Sequence, residues 1–339
     1  MKTRFPSISR RNFLQALGIG AAGMSMAACA PENLMIQPTT QLRGTGQLRG
    51  GGVPAGVADR TPLAFHRTQV GDLQVTVLND GVIVFPTENF AVNASAEERT
   101  ALLEEYNLPT QMGRADIGVT LVENGDQRIL LDTGAGDAPG MSADVGRLMV
   151  TLDMLGVKRE SITAVLISHF HPDHIGGASF NGEATFPNAQ YFFPQAEWDF
   201  LQNAPAALAD LVGLVNAKLQ PIMAQDQLTL FGAEEELVPG VQSVAAFGHS
   251  PGQHAFLLAS GSDQLLFTAD AANHFVLHFQ RPDWLFSFDA IPELTTATRQ
   301  QLLGRAADEG LKIVATHLPF PGMGYVVRSG DGFRFVPQG

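Results

Sequence analysis

The chain has 339 residues, a single cysteine, 22 phenylalanines and a formal charge of −13 from 21 basic and 34 acidic side chains. That length and apolar content suffice for one large folded domain or two small ones and exclude a wholly disordered chain. The acidic balance opposes a nucleic-acid partner, because an acidic surface repels phosphate backbones, and one cysteine excludes both a disulfide framework and a cysteine-based metal site.

Residues 1–30 hold Lys2, Arg4, Arg10 and Arg11 and no acid, which leaves 17 basic against 34 acidic residues in the remainder, a charge of −17. Ser9-Arg10-Arg11-Asn12-Phe13-Leu14 is a twin-arginine pattern, and the Gly/Ala-rich stretch from Ala16 to Ala28 is too short and too weakly apolar to span a membrane. Residues 1–30 therefore resemble a Tat-type signal peptide, which exports proteins already folded, and a periplasmic product is expected. Two readings of Cys29 stay open. Met26-Ala27-Ala28-Cys29 resembles a lipoprotein box that would anchor the chain to the membrane, and Ala28-Cys29-Ala30 equally fits ordinary signal peptidase. Residues 31–61 are Gln/Gly/Pro/Thr-rich and repeat Gln-Leu-Arg-Gly, so they read as a flexible linker. The folded domain is expected over 62–339.

Within it, Leu73 to Leu78, Asn79-Asp80-Gly81 and Val82 to Phe85 read as a hairpin. Ser95-Ala96-Glu97-Glu98 opens a helix with a capping box. Ile117 to Glu123 and Arg128 to Leu131 form a second hairpin that runs into Asp132-Thr133-Gly134. A helix from Asp144 to Leu155 stops at Gly156, and the apolar, β-branched run Thr163–Ile167 reads as a buried strand. Gln190 to Phe193 follows as a strand, then helices at Gln195–Leu201 and Ala206–Met223 with breaks at Pro205 and Pro221. Val241 to Ala246 is a strand, and His254 to Thr268 a hairpin turning at Gly261-Ser262-Asp263. A helix over Thr295–Ala307 and strands at Leu311–Ala315, Tyr325–Arg328 and Phe333–Val336 complete an α/β pattern.

The densest chemistry is Ser168-His169-Phe170-His171-Pro172-Asp173-His174, directly after a predicted strand. His169 and His171 are two apart, so an extended backbone turns them to one side. Pro172 ends the strand, and the turn aims Asp173 and His174 at a second point. His249, Asp270 and His317 each follow a further predicted strand, where α/β folds place their sites. The order His169-x-His171-x-Asp173-His174, His249, Asp270, His317, with Leu131-Asp132-Thr133-Gly134, resembles the metallo-β-lactamase superfamily.

That resemblance implies a four-layer αββα sandwich. It implies two divalent metal ions, most simply zinc for imidazole and carboxylate donors. His169, His171 and His249 would hold one ion, Asp173, His174 and His317 the other, with Asp270 bridging. A hydroxide between the ions would attack an ester, lactone or phosphotriester, and Asp270 would act catalytically as acceptor of its proton.

Gly71-Asp72-Leu73, Ala184-Thr185-Phe186-Pro187-Asn188-Ala189 and Thr316-His317-Leu318-Pro319-Phe320-Pro321-Gly322 further resemble methyl parathion hydrolase and its relatives. This implies a small, neutral, hydrophobic substrate and a homodimer. The alternative is an N-acyl homoserine lactonase, although Asn273 stands where the best-known lactonases carry a tyrosine. A different class on the same fold is an iron-dependent redox enzyme. Asp132 is expected to support the ligands from behind. His274, His278, Phe279 and Trp284 are expected to line the pocket, with Phe85, Phe90, Trp198, Phe275, Phe286 and Phe288 near it.

Overall fold

The computed structural model describes residues 64–338, so the expected leader, Cys29 and the 31–61 linker lie outside the described residues. A first sheet contains β1 (Phe65–Val70), β2 (Leu73–Pro86), β3 (Met112–Asn124), β4 (Gln127–Leu131) and β5 (Ala164–Leu166). After a separate small hairpin, β6 (Ser179–Phe180) and β7 (Glu183–Ala184), it gains β8 (Gln190–Pro194) and β9 (Leu228–Phe231). Its pairing is antiparallel up to β4 and parallel from β4 through β9.

A second sheet follows in chain order: β10 (Glu236–Val238), β11 (Val241–Ala245), β12 (His254–Ser260), β13 (Asp263–Phe267), β14 (Lys312–Val314), β15 (Met323–Ser329) and β16 (Gly332–Pro337). Only β13 and β14 in it run parallel. The helices are α1 (Ala96–Glu105), α2 (Leu148–Met154), the single turn α3 (Pro172–Ile175), α4 (Gln195–Leu201), α5 (Ala209–Met223), the short α6 (Leu277–Gln280) and α7 (Pro292–Glu309).

Three apolar clusters show how these elements stack. Val75, Val77, Ile129 and Leu131 of the first sheet meet Phe256, Leu258, Leu265 and Phe267 of the second in one buried layer. The opposite face of the first sheet packs Val165 and Tyr191 against Leu152 of α2 and Val215, Leu219 and Ile222 of α5. The opposite face of the second packs Leu257 and Ile313 against Leu302, Leu303 and Ala306 of α7. The strands alternate between these faces, as a pleated sheet requires, and the result is the αββα order expected from the sequence. The capping box at α1 is present, with Ser95 and Glu98 exchanging both bonds, and α7 ends on Gly310 in the left-handed region.

Three local expectations are corrected. Asn79-Asp80-Gly81 is not a hairpin turn: β2 runs straight through it, with a register shift against β3 between Asn79 and Gly81. The cause is Asp80, whose carboxylate is fully buried and accepts from the backbone N–H of Ala135 at 2.8 Å, Gly146 at 3.1 Å and Leu148 at 2.7 Å. A turn there would expose that carboxylate. The same bonds hold residues 144–147 outside a helix, so α2 begins at Leu148 rather than Asp144. Pro221 lies inside the last turn of α5 without breaking it. The short or edge strands β1, β9 and β10 have no counterpart among the elements predicted from sequence.

Asp80→Ala strands three buried N–H donors. At about 1–3 kcal/mol for each orphaned group, the variant is expected to lose at least about 3 kcal/mol, read as a lower urea midpoint with little change in slope.

Candidate metal centre

Every candidate ligand leaves the end of a strand on one edge of the sandwich. The chain exits β5 at Leu166, presents His169 and His171, and then enters α3 with Pro172 at its first helical position. That one turn swings Asp173 and His174 to the neighbouring point. His249 follows β11, Asp270 follows β13 and His317 follows β14. Ala269, just before Asp270, has φ of 46°, a left-handed conformation rare for alanine and typical of a tightly constrained site.

The seven side chains converge as two groups. His169 Nε2 lies 3.0 Å from His171 Nδ1, which lies 2.9 Å from His249 Nε2. In the second group, Asp173 Oδ2 lies 3.3 Å from His317 Nε2 and 3.8 Å from His174 Nε2. Asp270 stands between: Oδ1 is 3.2 Å from His174 Nε2, while Oδ2 is 3.2 Å from His249 Nε2 and 3.0 Å from His317 Nε2. Both groups meet the spacing of metal-ligand clusters.

These residues fit divalent cations. A tetrahedron with bonds of about 2.0–2.1 Å has ligand–ligand edges of about 3.4 Å, and the observed spacings bracket that value. His174 Nε2 and Asp270 Oδ1 are buried yet satisfied by no hydrogen bond, which is costly for atoms without another partner. Burial and the surrounding imidazoles hold His169 and His171 well below the usual histidine range, so both present lone pairs. Burial opposes charge on His249 too, but the Asp270 and Asp289 carboxylates override it and push its proton affinity up to about 9. Carboxylates that pull this hard on neighbouring imidazoles form a site that a cation can neutralise in place of protons.

The opposite ring nitrogens of four of the five histidines are tied down, which fixes the orientation of those imidazoles. His174 Nδ1 is 2.8 Å from Asp132 Oδ2, and Asp132 also accepts from Ser168 N at 2.7 Å and Ser168 Oγ at 2.8 Å. Asp132 has φ of 63°, a conformation aspartate tolerates better than most residues, and this turns its carboxylate under the site. His317 Nδ1–H donates to the Asp116 carbonyl at 2.7 Å, which leaves Nε2 as the nitrogen that presents a lone pair when the ring is neutral. His249 Nδ1 meets Asp289 Oδ1 at 2.9 Å, and Ser168 Oγ lies 3.0 Å from His169 Nδ1. Asn273 Nδ2 donates to Asp270 Oδ2 at 2.9 Å and is itself buried.

Asp289, Asp116 and Ser168 were not assigned these roles from sequence, and neither was Glu197. Glu197 is buried in α4, where Ser250 Oγ and Gly252 N on the His249 loop donate to it, together with the backbone of Phe170 between two ligands. Ser168 sits beside the ligand it supports, but no local pattern marks Asp289, Asp116 or Glu197, because each acts on a ligand or its loop tens of positions away in sequence.

An apolar wall stands beside the first group. Phe286 lies parallel to the His249 ring at 6.3 Å, Phe288 is 6.4 Å from His171, and Phe85 packs edge-on to Phe286 at 5.7 Å. Phe288 is 44% exposed, so this wall opens to solvent.

The other expected pocket residues are interior. His274 Nδ1 accepts from Val276 N and Leu277 N, and its ring packs on Phe90. His278 accepts from Asn273 N and donates to the Phe90 carbonyl. Phe279 packs against Phe335 in the core beneath α7. Trp284 is buried with Phe90 and Leu277, capped by the Arg281 guanidinium. Trp198 and Phe275 likewise pack against core clusters. Burial and these bonds turn His274, His278, Phe279 and Trp284 away from the open wall.

A family model described as the metallo-beta-lactamase superfamily matches residues 116–317. In sequence the chain is similar to an N-acyl homoserine lactonase of Bacillus cereus, 24% identical over 192 residues that cover 57% of this chain and 67% of that protein. In structure it is similar to AidC, a dizinc quorum-quenching lactonase solved with the product N-hexnoyl-L-homoserine, with a TM-score of 0.77 and 29% identity over 82% of this chain and 98% of that one. A hydrolase named AbOPH, in the beta lactamase superfamily, matches with a TM-score of 0.76 and 25% identity over 82% and 99% of the two chains.

Burial pushes the Glu197 carboxyl up to about 7 from an ordinary 4.5, against the donors that lower it. The folded state then holds an extra proton between those values, so this group's contribution to stability falls as pH rises through that window. Glu197→Gln is expected to gain thermal stability relative to the parent on going from pH 5 to pH 8. A difference that stays constant with pH would mean the carboxyl is ionised throughout.

Proposed function

Because the chain belongs to the metallo-beta-lactamase superfamily, we propose that it hydrolyses lactones and esters of small, neutral, apolar-tailed molecules, N-acyl homoserine lactones foremost. The chain is a metal-dependent hydrolase of that superfamily. The observation that carries the proposal is the convergence of His169, His171 and His249 beside Asp173, His174 and His317, with Asp270 between them and an apolar wall alongside. A similar dizinc lactonase, matched over nearly its whole length, supports both zinc as the metal and a lactone as the substrate. The same comparisons lend no comparable support to a phosphotriester substrate.

Two divalent cations bound there supply a Lewis acid for the substrate carbonyl and a water acidic enough to act as nucleophile near neutral pH. The chain's own residues do the rest. Asp270, pulled well into its ionised form by the three imidazoles around it despite burial, is the base positioned to take a proton. Asn273 donates to Asp270 Oδ2 and so orients that base. Since Asn273 is committed inward, it does not take the substrate-facing role of a tyrosine at that position. Phe85, Phe286 and Phe288 offer the apolar surface on which an acyl or aryl group excludes water.

We further propose export to the periplasm through residues 1–30, with Cys29 removed or lipidated there, and assembly as a homodimer. The twin-arginine pattern motivates the first. The resemblance to methyl parathion hydrolase motivates the second.

Purified protein reconstituted with zinc is expected to open an N-acyl homoserine lactone, to stop on chelation and to recover when zinc is returned. Full zinc loading with no turnover of lactones or aryl esters would sink this reading, and a single iron per chain with oxygen consumption would move it to redox chemistry. Asp270→Ala is expected to lower kcat/KM by about a hundred- to ten-thousand-fold, the range for loss of a general base.

A further inference from the structure

Among the carboxylates behind the seven donors, one does more than hold a ring. Asp289 is 1% exposed at its side chain, lies 40 residues after His249 in the sequence and uses its two oxygens differently. Oδ1 meets His249 Nδ1 at 2.9 Å. Oδ2 accepts the backbone N–H of Phe286 at 2.8 Å and faces Arg299 Nη2 at 3.4 Å. The Phe286 ring, on the far side of that turn, lies parallel to the His249 imidazole at an interplanar angle of 14°. One carboxylate thus holds a metal-facing imidazole and the apolar ring stacked along it.

A buried ionised carboxylate is stabilised by a paired charge, and for Asp289 Arg299 supplies one from α7. Arg299 is wholly buried. Its Nε donates to the Ala271 carbonyl at 2.7 Å, and its Nη1 donates to the carbonyls of Pro282, at 3.1 Å, and Trp284. The guanidinium therefore grips the segment next to Asp270 at one end and Asp289 at the other. The backbone closes the arrangement: Ala290 N donates to the His249 carbonyl at 3.0 Å and Ile291 N to that of Gly248 at 2.9 Å.

We propose that Asp289, braced by Arg299, is a positioning residue that couples the apolar wall to the metal position held by His169, His171 and His249. A carboxylate on His249 Nδ1 fixes the tautomer that presents Nε2 and raises the basicity of that ligand. The Phe286 amide on the same carboxylate sets where the wall stands over that ligand. The proposal rests on the two-cation reading above. It adds that one outer carboxylate serves one ion selectively, because His174 relies on Asp132 and His317 on a backbone carbonyl.

The test titrates zinc into the metal-free parent, Asp289→Asn and Asp289→Glu against a chromophoric chelator, counting ions per chain and their separate affinities. Asp289→Asn is expected to hold one ion as the parent does and the other about ten- to a hundredfold more weakly, the usual cost of losing an outer-shell partner. Asp289→Glu keeps the charge that Arg299 needs for folding but misplaces both oxygens, and is expected to show the same selective loss. Activity on lactones of short and long acyl chain is then expected to show a lower kcat for both and a larger rise in KM for the long one. Unchanged affinities in both variants, or equal weakening of both ions, would overturn the proposal. A parent that fails to bind two ions would overturn the two-cation reading, and the count needs no substrate.

Discussion

Bringing seven imidazole and carboxylate groups to one buried edge creates an electrostatic problem that the rest of the fold must solve. His171 Nδ1 lies within 3.0 Å of two other imidazole nitrogens, and Asp270 lies within 3.2 Å of three imidazoles. Lone pairs held that close repel unless a cation stands between them. The site can be kept assembled only if each ring is prevented from rotating away, and the opposite nitrogens of four of the five histidines meet a bonding partner. Those partners, Asp132, Asp289, Ser168 and the Asp116 carbonyl, come from four separate segments. The site is thus a property of the whole sandwich edge and not of the His169–His174 stretch.

The sheets answer this demand by geometry. β4 and β5 run parallel in the first sheet, and β13 and β14 run parallel in the second. Parallel neighbours end at the same edge, so Asp132 and His169 emerge side by side, as do Asp270 and His317. Asp80 keeps the loop after β4 in place through three backbone amides, which in turn keeps Asp132 beneath His174. Glu197 does the same between the His249 loop and the backbone of Phe170. Among the described residues no cation bonds to either buried carboxylate, and each accepts several neutral donors instead. Burial drives both toward the neutral form. That is a cost to the fold, and the return is the fixed position of loops that carry no regular structure of their own.

What the sequence made legible follows the range of the underlying forces. Elements whose signals are local were readable: the capping box at Ser95, the strand into His169, the hairpin around Gly261 and the glycine stop at Gly310. The seven donors were readable because their residue types and order match a family pattern and each follows a strand. Misreadings arose where a distant partner overrode local chemistry. Asn79-Asp80-Gly81 has the composition of a turn, but three amides from residues 135–148 hold it in a strand. The aromatic segment after Asp270 resembled a pocket lining. The bonds of His274 to the 276–277 amides, of His278 to Phe90 and of Arg299 to three carbonyls turn most of it inward. Asp289 and Glu197 carried no local signal at all.

The distribution of those outer partners also bears on the chemistry. His249 is backed by a full carboxylate with a guanidinium behind it, and His174 by a carboxylate that shares Ser168 with His169. His317 is backed only by a neutral carbonyl. The donors in the two groups are therefore backed by partners of different charge. Asp270 spans the difference, with Oδ1 toward His174 and Oδ2 toward both His249 and His317. Asn273 donates to Oδ2, while Oδ1 is buried with no hydrogen-bond partner among the described residues. A carboxylate held in this way is oriented before any substrate arrives, and in the role of base proposed above it would need little reorganisation to take a proton.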